Sequence, residues 1–377
     1  MEEARMRDPR VDRLARIITG HSLALKPGDV FQIDVRGSST LDLADALVTE
    51  ATGLGAIPLV FFNDERFLRP FLRGATEAQI ERLGELHLET MRRVDAYVGV
   101  RGSDNPFDLS DVPPEAMAWH QRHVWQRVHV EERVKRTRWV VLRWPNASMA
   151  QAAKTSREAF EDYYFHVCTL DYAKLGRGMD VLVERLQRTS DVRIVAPGTD
   201  LRFSIAGMPA VKCDGRRNLP DGEVYTAPVR GSVEGTIRFN AGTFYAARSF
   251  DDITLRFERG RVVEASAADA VQTCALNDLL DTDEGARYVG EFALGLNPEV
   301  KEPMRDALFD EKIAGSLHLA LGNAYETAFN GNRSAIHWDL VLIQRPEHGG
   351  GEIAFDGEIV RRDGRFVPAD LSAALDL

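Results

Sequence analysis

The stretch VFQIDVRGSSTLDLADALVTEATGLGAIPLVFF (30–62) decides the architecture of the first half of this chain. Val30 to Val35 (VFQIDV) and IPLVFF (57–62) are short apolar runs. Between them LDLADALVTEATGLGA carries apolar residues at helical spacing and ends in glycines. Strand, helix and strand in that order form a βαβ unit, whose two strands run parallel. Working outward, VDRLARIITGHSLAL (11–25) has helical periodicity and stops at Pro27-Gly28. A helix pattern over about 76–93 leads to the strand VDAYVGV (94–100). After a proline-containing loop (Asn105-Pro106, Pro113-Pro114) a helix around 115–135 precedes the strand WVVLRW (139–144). Short apolar runs separated by helices predict a parallel sheet covered by helices. This half contains no G-x-G-x-x-G and no G-x-x-x-x-G-K-[ST], so it lacks a phosphate-cradling signature.

One long helical stretch, about Ser148 through Arg188, closes this domain, and the rhythm then changes. LRFSIAG (201–207), ITLRF (253–257) and GEIAFDGEIV (351–360) alternate apolar and polar residues, with Arg259-Gly260, Asp356-Gly357 and Asp363-Gly364 as hairpin turns. A helix near 266–282 interrupts them. The expected organisation is an α/β domain over 1–190 and a β-rich α+β domain over 191–377, with the boundary near 191. No internal repeat and no low-complexity segment is visible in the sequence.

Composition narrows the classes of function. The chain has 377 residues, enough for two domains at roughly 100–200 residues each. Its 58 acidic against 47 basic residues leave a formal charge of -11, which argues against non-specific nucleic-acid binding. Cys168, Cys213 and Cys274 form no C-x-x-C pair, so neither a disulfide framework nor a cysteine zinc site is expected. The start, MEEARMRDPRVDRLARIITG, has no apolar signal core, and no run of about 18 apolar residues occurs. The expectation is a cytoplasmic protein with no membrane partner.

The nine histidines can be weighed individually. His21, His87, His129 and His348 read as solvated or structural, and His166 as a packing or capping residue. His120 and His123 form H-x-x-H without a carboxylate at a spacing that completes a site. His318 and His337 differ. In Gly315-Ser-Leu-His-Leu-Ala-Leu-Gly322, Leu317, Leu319 and Leu321 take one strand face while Ser316, His318 and Ala320 take the other. In Ser334-Ala-Ile-His-Trp-Asp-Leu-Val341, His337 and Asp339 share the face opposite Ile336, Trp338 and Leu340. H-x-D thereby delivers an imidazole and a carboxylate to one side, the donors that zinc, cobalt, manganese or iron accept. A half-buried strand carrying a histidine beside its own aspartate would show the same pattern. Two further carboxylates, Glu223 in NLPDGEV (218–224) and Glu291 in VGEFALGLNP (289–298), lie against apolar runs, where a carboxylate is costly unless paired or metal-bound. Three carboxylates and two histidines would suit two divalent cations with one bridging carboxylate.

Several ordered motifs carry a family resemblance: GTDL (198–201), NLPDGEV (218–224), VEGT (233–236), GEFALGLNP (290–298), HLALGNAY (318–325) and HWD (337–339). In this order they resemble the aminopeptidase T family of metal-dependent aminopeptidases. The N-terminal half is similar more loosely, through LKPGDV, GAIPLVFF and WPNASMAQAAKTS. The resemblance implies an N-terminal α/β domain, a C-terminal metal domain and a homodimer. It further implies five metal ligands at Glu223, Glu291, His318, His337 and Asp339, and a catalytic tyrosine at Tyr325 that hydrogen-bonds the developing oxyanion. Glu291 is the candidate bridging carboxylate or base. The implied cofactors are two divalent ions (zinc, cobalt or manganese), and the implied substrate is a peptide or small amide. The connection from Tyr325 to His337 is short compared with thermophilic relatives, which bears on substrate class. A related fold occurs in 2,5-dihydroxypyridine dioxygenases, whose single iron sits in a two-histidine, one-carboxylate site; Fe(II) is the alternative cofactor, and ring cleavage the alternative reaction.

Overall fold

The computed structural model describes residues 7–105, 107–246 and 248–375, so Pro106 of the expected loop and the first residues of the chain lie outside it. Contacts divide it into two units, Met1–Leu170 with Gly215–Leu219, and Asp171–Asp214 with Pro220–Leu377.

The first unit is the expected α/β layer. Strands β1 (Val30–Arg36), β2 (Ile57–Asn63), β3 (Ala96–Arg101) and β4 (Arg138–Arg143) form a parallel sheet in the order β2-β1-β3-β4, extended by the short strand Asn218–Leu219. Phe31, Ile33, Val35, Val98 and Val140 are buried completely or nearly so, as in a sheet covered on both faces. Helix α1 (Leu41–Gly53) makes the β1–β2 crossover. Helix α2 (Glu77–Met91) starts at a capping box, in which Thr76 accepts from the Gln79 amide and Gln79 reaches back to the Thr76 amide. The helix expected at 115–135 spans Pro114–Arg136, and its central part, Gln121–Arg133, is π-helical.

The single long helix expected over 148–188 is instead three: Ala147–Ala152, Arg157–Cys168 and Tyr172–Arg188. Ser156 and Asp171 accept amide hydrogen bonds from Ala159 and Lys174, so each starts a new helix rather than continuing the old one. The last helix belongs to the second unit, because Lys212 bonds Asp180 at 2.6 Å and Arg185 pairs with Asp370 and Glu358. The change of strand rhythm at 191 therefore lies inside that unit, and the contact boundary falls at 170/171.

The second unit is antiparallel and β-rich. An eight-stranded sheet includes Asp191–Ala196, Thr199–Ser204, Thr254–Glu258 and Glu352–Phe355. The three anticipated hairpin turns have positive φ at both central residues (Arg259 47°, Gly260 81°; Asp356 48°, Gly357 87°; Asp363 50°, Gly364 79°), the backbone a tight two-residue turn requires. A second sheet carries β5 (Glu223–Thr226), β6 (Val289–Gly295), β7 (Ser316–Gly322) and β8 (His337–Ile343) in the order β8-β7-β6-β5, flanked by Val211–Cys213. The helix expected near 266–282 is Ala270–Leu280, capped by Asp269.

Candidate metal centre

The registers of the second sheet place all five candidate ligands on one face. Glu291 of β6 stands opposite Ala320 of β7, which stands opposite Asp339 of β8. Ala293 pairs with both His318 and Tyr225, Gly322 with His337, and Gly295 with Glu223. Because successive side chains alternate, Glu223, Glu291, His318, His337 and Asp339 share that face. The residues set between them, Ala293, Gly295, Ala320 and Gly322, are small and leave the donors room to converge. The other face, with Phe292, Leu294, Leu319, Trp338 and Leu340, is buried core. A bulge between Val289 and Glu291 sets the register of Glu291. Gly290 is required there, since a Cβ would lie 2.5 Å from the carbonyl oxygen of Gly322.

The donors surround a common point. His318 Nε2 is 3.2 Å from Glu291 Oε1, 3.6 Å from Glu223 Oε2 and 3.9 Å from Asp339 Oδ1. His337 Nε2 lies 3.7 Å from Glu291 Oε2 and 3.5 Å from Asp339 Oδ1. Most of these spacings exceed hydrogen-bond length. They run from 3.2 to 3.9 Å, at or slightly beyond the separation of about 3–3.5 Å to which one shared ion, about 2.1 Å from each atom, would draw two donors. Glu223 Oε2, Glu291 Oε2, Asp339 Oδ1 and His318 Nδ1 are buried without a hydrogen-bond partner. Orphaned carboxylate oxygens in a buried site are expensive, and a divalent cation would satisfy them. The residues present therefore fit a metal.

His337 shows the outer support typical of a ligand. Its Nδ1 lies 2.7 Å from the Asn323 carbonyl oxygen, which can only accept, so Nδ1 is a donor in either protonation state and Nε2, facing the carboxylates, is the nitrogen a metal would take once its proton leaves. The connection to His337 is short and pinned. Asn332 Nδ2 donates to the carbonyls of Gly322 and Gly285, and Asn330 Nδ2 donates to those of Pro228 and Val289. Tyr325, at the start of that connection, has its ring centroid 4.6 Å from that of His337, tilted by 42°, and 5.8 Å from that of Tyr225, edge-on. It is 48 % exposed. Desolvation and the nearby Glu291 and Asp339 charges hold its hydroxyl far above the usual tyrosine range, so it stays a proton donor at neutral pH.

Electrostatics agree with a cation-seeking site. Burial alone would push His318 down. The hydrogen bond to Glu291 and the charges of Glu223 and Asp339 outweigh it and lift the imidazole to about 9. In His337 burial is likewise outweighed, chiefly by Asp339, and the ring rises to about 10. Burial would raise Asp339, yet His337 holds it well below the ordinary carboxylate range. Glu291 is pushed up, first by burial.

Two neighbours were not legible in the sequence. Lys312 is completely buried, with Nζ 2.8 Å from Glu223 Oε1, 3.7 Å from Asp221 Oδ1 and in contact with Glu311. Glu311 brings an oxygen within 4.8 Å of ligand atoms of both His318 and Asp339; a second such triad is Glu223, Glu291 and His318. Phe-Asp-Glu-Lys-Ile (309–313) reads as a solvated turn, and only its dense charge between two apolar residues hints otherwise. The H-x-x-H pair does not form a site: His123 bonds Glu77 at 2.9 Å, and among the described residues no metal-type triad includes either histidine.

Comparison with known proteins follows the same line. A family model described as thermophilic metalloprotease (M29) matches residues 7–366. The chain is 29% identical to aminopeptidase T of Thermus thermophilus, covering 95% of this chain and 96% of that one. It is 24% identical to aminopeptidase PepS of Streptococcus thermophilus over the same shares. Among solved structures, wild-type AmpT from Thermus thermophilus is similar with a TM-score of 0.78 at 26% identity, covering 96% of this chain and 99% of that one. The 2,5-dihydroxypyridine dioxygenase of Pseudomonas putida KT2440 reaches 0.61 at 15% identity, covering 96% and 98%, and shares the fold.

Proposed function

This chain belongs to the thermophilic metalloprotease (M29) family, and from that premise we propose that it is a metal-dependent aminopeptidase cleaving the N-terminal bond of peptides or small amides. The observation that carries the reading is the set of buried, unpartnered carboxylate oxygens on Glu223, Glu291 and Asp339, converging on one sheet face with the Nε2 atoms of His318 and His337. These five residues would hold two divalent ions of the zinc, cobalt or manganese type, with Glu291 between them. Such ions, when bound, lower the pKa of a water and polarise a carbonyl.

The chain's own groups supply the rest. In place of bridging, Glu291 could instead serve as the base that accepts the proton of the attacking water and returns it to the leaving amine. Tyr325 keeps its hydroxyl proton and donates a hydrogen bond to the oxyanion that develops on the substrate. The free amine of a substrate would bind near a metal or an acidic side chain, which would restrict cleavage to the chain end. Lys312 holds Glu223 in place. The dioxygenase shares the fold, and a fold alone does not bring its reaction.

The test is a pair of substrates. An aminoacyl p-nitroanilide with a free amine is expected to be hydrolysed in a chelator-sensitive, metal-restored way, and its N-acetyl counterpart left intact. Metal analysis is expected to give two equivalents per chain. Chelator-resistant hydrolysis, or oxygen uptake with a hydroxypyridine and ferrous iron alone, would sink the reading. The proposal includes a cytoplasmic homodimer, checked by light scattering for the assembly and by cell fractionation for the compartment.

A further inference from the structure

The sheet of the first unit has its own topological switch point. β2 lies on one side of β1 and β3 on the other, so the connections diverge at the carboxyl ends of β1 and β3, where open α/β sheets form a crevice. Both strands end in the same tripeptide, Arg36-Gly37-Ser38 and Arg101-Gly102-Ser103. Arg36 and Arg101 are partners in register, and the Gly102 amide donates to the Arg36 carbonyl at 2.9 Å. The glycines permit this approach: a Cβ on Gly37 would lie 2.8 Å from Gly102 O, and one on Gly102 2.5 Å from Thr40 Cγ2. Two guanidinium side chains are thus fixed on neighbouring strands, on one face.

A cavity of about 310 Å³ opens at this point, lined by both arginines and by the aromatic rings of Phe62, Phe67 and Trp125. Phe67 is 65 % exposed, unusual for a phenylalanine beside so much apolar surface. The guanidinium of Arg101 lies 5.5 Å over the Trp125 ring, and among the described residues no carboxylate comes within ion-pairing distance of it. Arg36 pairs with Glu65 at 3.4 Å, and the same Glu65 oxygen also accepts from Ser103 at 2.6 Å. Of the carboxylates in the lining, Asp64 is clamped by Arg66 and Asp34 accepts from the neutral amide of Asn63. His120 and His129 add no positive charge, because burial first, then nearby arginines, lowers them to about 4 and about 3. Arg101, stacked on Trp125 with no ion pair among the described residues, stands beside Arg36, which shares its carboxylate with Ser103; facing an aromatic pocket, the pair suits an anion with a flat apolar body.

The arginines, more than the backbone, set the type of anion. Three amides of the turn are committed within the backbone: that of Gly37 donates to Asn63 O, that of Thr40 to Gly37 O, and that of Gly102 to Arg36 O. The planar fork of each guanidinium matches a carboxylate.

We propose that this crevice binds a small aromatic carboxylate, its acid group held by Arg36 and Arg101 and its ring by Phe62, Phe67 and Trp125. Metal-loaded, full-length protein titrated with 3-phenylpropionate should show saturable binding at one site per chain by calorimetry. Trp125→Phe should remove the accompanying tryptophan fluorescence change. Arg36→Gln and Arg101→Gln should each weaken binding at least about ten-fold, and the uncharged 3-phenylpropanamide should bind at least about ten-fold more weakly than the acid. His337→Ala should leave this binding intact, which separates it from coordination at the metal centre. If Arg101→Gln fails to fold, Arg101→Lys keeps the charge, removes the fork and should weaken binding by a smaller factor. Absence of saturable binding, binding that survives both arginine substitutions, binding lost in His337→Ala, or competition by inorganic phosphate as strong as by the acid would each overturn the proposal.

Discussion

Two clusters of buried histidine in this protein titrate in opposite directions. In the second unit, His318 and His337 sit among Glu223, Glu291 and Asp339 and rise to about 9 and about 10. In the first unit, His120 and His129 sit among arginines and aromatic rings and fall to about 4 and about 3. Burial works against the charged form in both places. The difference comes from the neighbours: carboxylates repay the desolvation of an imidazolium, whereas Arg133, whose Nε donates to His129 Nδ1 at 3.3 Å, adds to its cost. One region is built to gather cations and the other to stay neutral beside fixed cations.

The contrast is broken most severely at Glu291. Replacing it with glutamine removes the carboxylate proposed as ligand or base, and turnover is expected to fall by about 10³-fold or more while the circular dichroism spectrum stays native. Metal content measured on the same sample should drop; an active Glu291→Gln enzyme would show that this carboxylate has another role. Next in size, Tyr325→Phe takes away one oxyanion donor, with kcat expected to fall about 10²–10³-fold and KM to change little.

The opposite titrations predict opposite pH slopes. Metal must displace protons from His318 and His337, so affinity measured by competition with a chelator should rise about ten- to a hundred-fold per pH unit between about pH 6 and pH 9. In the metal-free chain both rings have folded-state values above their unfolded ones. Their stabilisation is complete below an unfolded value of about 6.5 and disappears as pH rises through about 9–10. His129 behaves the other way. Its depressed folded value means stability is present above about 6.5 and is lost as pH falls toward about 3. His129→Gln should therefore flatten the acid limb of a denaturant-unfolding series by about 1–3 kcal/mol, the smallest of these effects. An unchanged acid limb would mean that His129 is solvated in the folded state.

Much of the metal centre was legible because strands impose a period of two. Ser-Leu-His-Leu-Ala and Ile-His-Trp-Asp-Leu can present His318, His337 and Asp339 only on the face opposite the leucines, whatever the strands pair with. The same local logic covers the hairpin turns at Asp-Gly and Arg-Gly. Glu311 and Lys312 escaped it, since a short charged segment after a one-turn helix looks like any solvated loop. Its burial depends on β5 and β7 arriving from elsewhere in the chain. His87, His120 and His129 escaped it too: His87 and His129 stand alone in their helix patterns, His120 belongs to an H-x-x-H pair, and only packing brings the three to one cavity. The three-way division of residues 147–188 turned on Ser156 and Asp171, whose side chains chose to cap a new helix rather than extend the previous one.

By itself, then, the order of residues determined the two kinds of sheet, the faces of the strands and the chemical type of the donors, because these follow from side-chain alternation and backbone preference over a few neighbouring positions. Only the tertiary structure decided which donors share a centre, that Lys312 lies beneath Glu223, and that Arg36 stands beside Arg101. Those outcomes rest on strand register and sheet order, which bring together residues far apart in the chain and leave no trace in the local pattern.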